Sequence, residues 1–163
     1  VWDSFSTGNE FHGLELGFAY QVDRGRWSWD AVGKMALGSM HQMVDVDGYT
    51  RITAPAGAPA MNEGGLLALP TNIGQSSRDK FTMIPELNLN LQSQLTERLD
   101  LTLGYSLVWI TNVARSGDQL DFTVNPSQLP GGGGLVGAPR PAPRFEDTSM
   151  WVQGVNFGLS YEF

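Results

Sequence analysis

The chain has 163 residues, 17 acidic against 10 basic, a formal net charge of −7 and no cysteine. A pI near 4.6 removes the electrostatic reason for holding phosphate backbones, so no nucleic-acid partner is expected, and the lack of thiols excludes disulfides, Fe–S clusters and thiolate-held metals. Charged residues make up 17%, against about 25% in ordinary soluble domains, and no window approaches the ~18 apolar residues of a membrane-spanning helix, which leaves a strand-built membrane protein open.

Val1 to Asn9 carry neither a basic start nor an apolar run, so no signal peptide is expected there. Across residues 3 to 22 the chain alternates. His12, Leu14, Leu16, Phe18, Tyr20 and Val22 fall on one face, and Gly13, Glu15, Gly17, Ala19 and Gln21 on the other. That period of two predicts a β-strand with one apolar and one wet side. A second strand over 27 to 46 sets Trp27, Trp29, Ala31, Met35 and Leu37 against Ser28, Asp30, Lys34, Ala36 and Gly38. With Asp23 to Arg26 as the turn and Val22 opposite Trp27, Glu15 lies directly opposite Lys34, and a cross-strand ion pair is expected.

After a connection over about 48 to 80, the third strand, 81 to 95, alternates Phe81, Met83, Pro85, Leu87, Leu89, Leu91 and Leu95 with Thr82, Glu86, Asn88, Asn90, Gln92 and Gln94. Proline removes a ladder donor, so a bulge or break is expected at Pro85. The fourth, 99 to 113, sets Leu99, Leu101, Leu103, Tyr105, Leu107, Trp109 and Val113 against Asp100, Thr102, Gly104, Ser106 and Asn112, with Val108 and Ile110 blurring its far end. A second long connection covers about 114 to 148. The fifth strand, 149 to 163, sets Trp151, Val155, Phe157, Leu159, Tyr161 and Phe163 against Gly154, Asn156, Gly158, Ser160 and Glu162. No segment has a capped helical stripe.

The connections alternate too. Asp-Arg-Gly-Arg and Thr-Glu-Arg are hairpin-length, whereas the other two run to about 34 and 35 residues, lengths that compact domains reserve for function. They contain APAGAPAMNEGG and LPGGGGLVGAPRPAPR. Short turns at one end and long loops at the other is the asymmetry of an outer-membrane barrel with periplasmic turns and extracellular loops. Tyr20, Trp27, Trp29, Tyr161 and Phe163 fall near the short-turn ends, and Phe81, Trp109 and Trp151 near the long-loop ends, the spacing of two aromatic girdles. A soluble β-sandwich explains the alternation equally well but leaves Gly, Ser and Asn as an oddly uncharged outer surface.

The chain resembles the outer-membrane β-barrel porin family predicted in planctomycete genomes, beta-barrel porin family seven. The resemblance rests on DSFSTGNEFHGLELG (3 to 17), GGLLALPTNIG (64 to 74), FTMIPELNLNL (81 to 91), GYSLVWITNVARSGDQLD (104 to 121) and WVQGVNFGLSYEF (151 to 163). It implies an outer-membrane barrel and brings no catalytic or ligand residues. Its members usually have further N-terminal sequence with a signal peptide. Phe157, Leu159, Tyr161 and Phe163, at every second position up to a terminal aromatic, resemble the signal read by the outer-membrane insertion machinery.

Sites of chemistry are few. Asp45, Asp47 and Gly48 echo a calcium loop without its closing Glu. His12 and His41 lie on different strands with no third ligand spaced to help. Gly104-Tyr105-Ser106 sits within a strand, not a nucleophile elbow, and the glycines 131 to 134 lack the Lys-Ser/Thr and helix of a phosphate loop. No enzyme activity, cofactor or metal is expected. In the second long loop Arg115, Arg140 and Arg144 stand beside Asp118, Asp121, Glu146 and Asp147. This is the composition either of a constriction with a transverse field or of an ordinary solvated loop.

The sequence therefore predicts an all-β, antiparallel transmembrane barrel, or the C-terminal part of one, in a bacterial outer membrane, with its C-terminus periplasmic. A passive pore for ions or small hydrophilic solutes fits best. Glu15, Asp30, Lys34, Glu86, Asn88, Asn90, Gln92, Asn156 and Glu162 are expected to face its lumen, and their excess of acids to favour cations. An adhesive or structural surface protein anchored by a barrel is the alternative. Five strands are too few for closure, so further N-terminal strands, or identical chains, are expected to complete the barrel.

Overall fold

The computed structural model describes residues 1–53, 58–130 and 134–163. It contains an antiparallel sheet of six strands, β1 (Trp2–Arg24), β2 (Trp27–Ile52), β3 (Ala60–Glu63), β4 (Gly74–Thr96), β5 (Leu99–Val113) and β6 (Thr148–Tyr161). There is no α-helix among the described residues, only short 3₁₀ turns at Ser116–Gln119 and Pro126–Gln128. The sheet order is β1-β2-β4-β5-β6, with β3 hydrogen-bonded to β2 alone. Among the described residues β1 and β6 are the two edges and do not pair, so the sheet is open. The five long strands stand where the alternation places them. The short β3, in Ala60–Glu63, has no such signature.

The first hairpin is tighter than the sequence suggests. Strand β1 continues to Arg24 and β2 starts at Trp27, leaving Gly25 and Arg26 as a two-residue turn. Gly25 has φ 61°, at the first central position, where a type II′ hairpin takes glycine. Arg24 then faces Trp27, and counting back brings Gly13 opposite Gly38. A Cβ on Gly38 would collide with the Gly13 Cα and the His12 carbonyl oxygen, as that register requires. The expected pairing of Val22 with Trp27 is thus displaced by two residues. Glu15 and Lys34 still meet, at 3.5 Å, across a diagonal rather than directly opposite, because long side chains reach a position two along.

Pro85 does not interrupt β4, but it marks where the ladder with β5 changes character. Backbone partners run from Glu86 with Val108 to Thr96 with Leu99, with an irregularity between Gln94 and Thr96. Beyond Pro85, side chains take over. Thr111 Oγ1 accepts from the Met83 N–H at 3.0 Å and donates to its carbonyl at 3.1 Å, and Asn112 Nδ2 donates to the Phe81 carbonyl at 2.7 Å. Asn112 adopts φ 55°, a left-handed conformation that Asn tolerates.

The chain divides into two compact units. One, here the wall unit, comprises residues 11–40, 81–112 and 149–163; the other, the loop unit, comprises 1–10, 41–80 and 113–148. In the wall unit the apolar rows are open: Leu14 is 80% exposed and Phe157 79%, with Phe18, Trp29, Phe81 and Trp109 also exposed. On β2 and β4 the alternate row carries buried residues, Ala36, Met40 and Thr82, whereas on the edge strands β1 and β6 both rows are largely exposed. A soluble sandwich would show the reverse, because its driving force is removal of apolar surface from water.

The loop unit has an ordinary core. Val44, Val46 and Ala68 are buried together, with Phe5, Ile73 and Phe145 packed against them. Strand β2 therefore changes sense along its length. Its even-numbered row is polar or small at Ser28, Asp30, Lys34 and Gly38 and apolar at Val44 and Val46, while the odd row passes from Trp29, Met35 and Leu37 to Asp45 and Asp47. Strand β2 extends to Ile52 and β4 starts at Gly74, so both reach well into the segment expected as a loop over 48–80. The 114–148 connection does lie between strands, apart from Thr148, which opens β6.

Candidate functional site

In the wall unit, the wet rows of β2, β4, β5 and β6 form a polar strip. Asn90 Nδ2 donates to Asp30 Oδ2 at 2.9 Å. Gly104 pairs with Asn90 in the ladder, and the space where its side chain would stand is filled by the amides of Asn90 and Asn156. Asn88 Nδ2 donates to Glu86 Oε1 at 2.8 Å on the same strand face. Gln92, Gln94 and Asp100 line a cavity of about 270 Å³ with Asp23, Arg26 and Ser28 next to the first turn. Glu162 is exposed, and its N–H donates to the Arg98 carbonyl at 3.0 Å. Acids thus outnumber bases along this strip, and Lys34 is held by Glu15. The residues of the terminal signature pattern, Phe157, Leu159, Tyr161 and Phe163, are all exposed, with Tyr161 and Phe163 in an edge-to-face ring contact at 5.4 Å.

In the loop unit both long connections are tied down by polar contacts. Asp3 accepts from the N–H groups of Leu66, Leu67 and Ala68, at 2.9 to 3.2 Å for Oδ1, which holds that turn against β1. The Asn9 amide copies a strand partner for Ala114, accepting its N–H at 2.8 Å and donating to its carbonyl at 2.9 Å. Thr71 Oγ1 donates to the Pro141 carbonyl at 2.7 Å, joining one connection to the other. Gln119, almost fully buried, donates from Nε2 to the Arg115 and Glu146 carbonyls and accepts the Glu146 N–H.

Two acids are the electrostatic centres of that unit. Asp147 lies 2.7 Å from both Arg78 and Lys80 and accepts from Gln42, which itself accepts from Arg78 Nε at 2.7 Å. The Arg78 guanidinium also stacks 4.1 Å from the Phe145 ring centre. Burial alone would push the Asp147 carboxyl up. The hydrogen bonds from Lys80 and Gln42, with the charges of Lys80 and Arg78, outweigh it and hold the group below its ordinary value. Asp121 accepts the Ala142 N–H at 2.8 Å, the Arg140 guanidinium at 2.7 Å and the Thr123 N–H at 3.0 Å. Those bonds, the Ala142 N–H first among them, depress its carboxyl far below the ordinary range against the opposing cost of burial.

Three of the four residues expected at a constriction share one place. Arg115, Asp118 and Arg144 line an open cleft of about 540 Å³ with Glu146, Asp147 and Thr148. Arg140 stands apart from it, paired with Asp121. The cleft sets two guanidinium groups among three carboxylates. Arg78, Lys80, Gln42, Asp3, Asn9 and Gln119 carry the framework without having been singled out in the sequence. The only signal for them is parity: Arg78 and Lys80 continue the even row of β4, and Asp3 and Asn9 the odd row of β1.

The other motifs bring nothing together. Among the described residues no three His, Asp or Glu side chains gather to hold a metal. Asp47 accepts its neighbour's N–H from Gly48 at 2.8 Å, and His41 Nδ1 lies 2.9 Å from Asp79. His12 is exposed on β1. Gly104-Tyr105-Ser106 lies within β5. Residues 54–57 of the first loop and 131–133 of the glycine run lie outside the described residues.

The fold class is an all-β antiparallel sheet, open among the described residues, with its long apolar rows exposed. The chain belongs to the family described as "Putative beta barrel porin-7 (BBP7)", whose model matches residues 1–163, the family that the sequence resembles. No curated protein and no solved structure matches the chain.

Proposed function

We propose that this protein is part of an outer-membrane β-barrel that acts as a passive channel for ions or small hydrophilic solutes, with no chemical step. The observation that carries the reading is the inversion in the wall unit, where Leu14, Leu16, Phe18 and Phe157 are bare and Asp30, Asn90 and Asn156 lie on the opposite face. Lipid is the solvent that suits the first set and water the second. The aromatic side chains at the two ends of the rows act as girdles, with the short turns and the C-terminus periplasmic and the long connections extracellular. The bases on the strip are fewer than the acids, so cations are favoured. The two open edges would leave N–H and C=O groups bare in lipid at several kcal/mol each, and further strands or identical chains complete the ring. The outer-membrane insertion machinery is the assembly partner.

A second reading has its own support. The loop unit has a packed core and a dense polar framework, which suits an anchored surface protein whose loops bind a partner. Single-channel recording in planar bilayers separates the two. A steady current with a cation-directed reversal potential is expected; a heat-modifiable, vesicle-inserted protein that passes no current would favour the anchor.

A further inference from the structure

We infer that the apolar face of the wall unit carries a built site for one membrane glycerophospholipid, with Arg24 holding the phosphate and a groove beyond Trp29 holding an acyl chain. The inference rests on the membrane reading above and deepens it. Strand β1 presents an unbroken apolar row, Leu14, Leu16, Phe18, Tyr20 and Val22, that ends in a cation at Arg24. Asp23, next along the chain, points to the other face and takes a hydrogen bond from Gln21 at 3.4 Å. Among the described residues Arg24 has no carboxylate within ion-pairing distance, in a chain whose net charge is −7.

Arg24 does not lie on a flat surface. With Tyr20, Val22, Trp27 and Trp29 it lines a cavity of about 380 Å³. Trp29 is also one wall of a second cavity, of about 330 Å³, walled mainly by Leu89, Leu91, Leu103, Tyr105 and Val155, with Asn90 and Gly104 also bordering it. An edge-to-face contact with Tyr20, 6.3 Å between centroids, fixes the Trp29 ring between the two. One lobe therefore offers a guanidinium in an aromatic setting beside the first turn, and the adjoining lobe is apolar. A glycerophospholipid has that polarity in that order: a phosphate that an arginine fork matches, then hydrocarbon. A free phosphate would leave the second lobe empty, whereas a fatty acid carboxylate would meet the same fork, so oleate retained as tightly as the phospholipid would overturn the assignment. The lipid is one from the leaflet at the short-turn end.

The test is native mass spectrometry of the detergent-solubilised protein titrated with dioleoylphosphatidylglycerol. The wild-type protein should retain one lipid per site, and Arg24→Gln should weaken retention about fivefold, the loss of one interfacial arginine–phosphate contact. Arg24→Lys should recover part of it, which separates charge from folding. Arg26→Gln removes the same charge from the same turn, in the cavity with Gln92 and Asp100, and should change nothing. Leu89→Trp, which fills the apolar lobe, should weaken the dioleoyl lipid and its single-chain lyso form alike, since each places one chain there. Equal retention by wild type and Arg24→Gln, or equal losses in Arg24→Gln and Arg26→Gln, would overturn the site. Heat-modifiable mobility in all variants keeps the membrane reading standing in that case, and failure of the wild type to enter vesicles would sink that reading first.

Discussion

The wall unit and the loop unit are built from the same strands with opposite rules. In the first, Leu14, Phe18, Trp151 and Phe157 are exposed; in the second, Val44, Val46 and Ala68 are buried and Asp45 and Asp47 face out. A strand has one geometry, alternating sides at every residue, so the difference cannot come from backbone propensity. On the membrane reading proposed above, it comes from the solvent each stretch is written for, lipid against bare apolar rows and water against a covered core. The exchange on β2 falls between Leu37 and Val44, near the 40/41 boundary of the units.

The sharpest way to break this contrast is to put one charge on each kind of apolar residue. Val44→Arg buries an unpaired cation in the loop unit and should cost at least ~3 kcal/mol in any medium, read as earlier denaturant unfolding and faster proteolysis of the two connections. Leu16→Arg should cost ~2–4 kcal/mol near the bilayer midplane and almost nothing in its absence, read by comparing unfolding from vesicles with retention of loop-unit protection. Equal penalties for Leu16→Arg with and without lipid would remove the distinction between the units.

A smaller effect is expected at Asp147. Asp147→Asn keeps the shape but leaves Arg78 and Lys80 without their shared carboxylate, a loss of about 1–3 kcal/mol that should appear as increased hydrogen exchange confined to the loop unit. Uniform change across β1 to β6 would show that the two units do not respond separately.

Acid probes the same centres. Asp121 and Asp147 have folded-state values lowered below the ordinary ~3.9 of an aspartate, so their contribution to stability is complete above that value and fades as pH falls through it toward the depressed ones. The loop unit should therefore loosen below about pH 4, with protease cleavage between residues 114 and 147 as the readout. Asp121→Asn should flatten that dependence. Loosening that instead sets in on raising the pH through neutrality would contradict the sign.

The smallest effect belongs to the diagonal pair of Glu15 and Lys34. Both side chains are well exposed, 54% and 37%, so the pair adds about 0–1 kcal/mol to stability and matters mainly by cancelling charge on the wet strip. Lys34→Gln should shift the reversal potential further toward cations, with thermal stability almost unchanged. A shift toward anions would mean that Lys34 does not border the path.

Strand identity and the apolar faces were legible in the residues themselves because alternation is a local property, set by each residue's side of the pleat. The same locality put the first turn within Asp23 to Arg26, but the bulge or break expected at Pro85 is not found: β4 runs through it, and the ladder with β5 is irregular between Gln94 and Thr96 instead. What local pattern could not decide is what each row faces. Whether an apolar row is core or outer wall depends on which other segments cover it, and those covers come from far along the chain: Ala68 and Phe145 over β2, Asp3 under residues 66–68, Asn9 beside Ala114, Asp147 between Arg78 and Lys80. The two-residue shift in the first hairpin has the same origin, since a shift of two keeps every side chain on its face and leaves no trace in the hydrophobic pattern. Period and polarity are carried by neighbours in sequence; register, coverage and the charged cleft of the second connection exist only once distant residues have met.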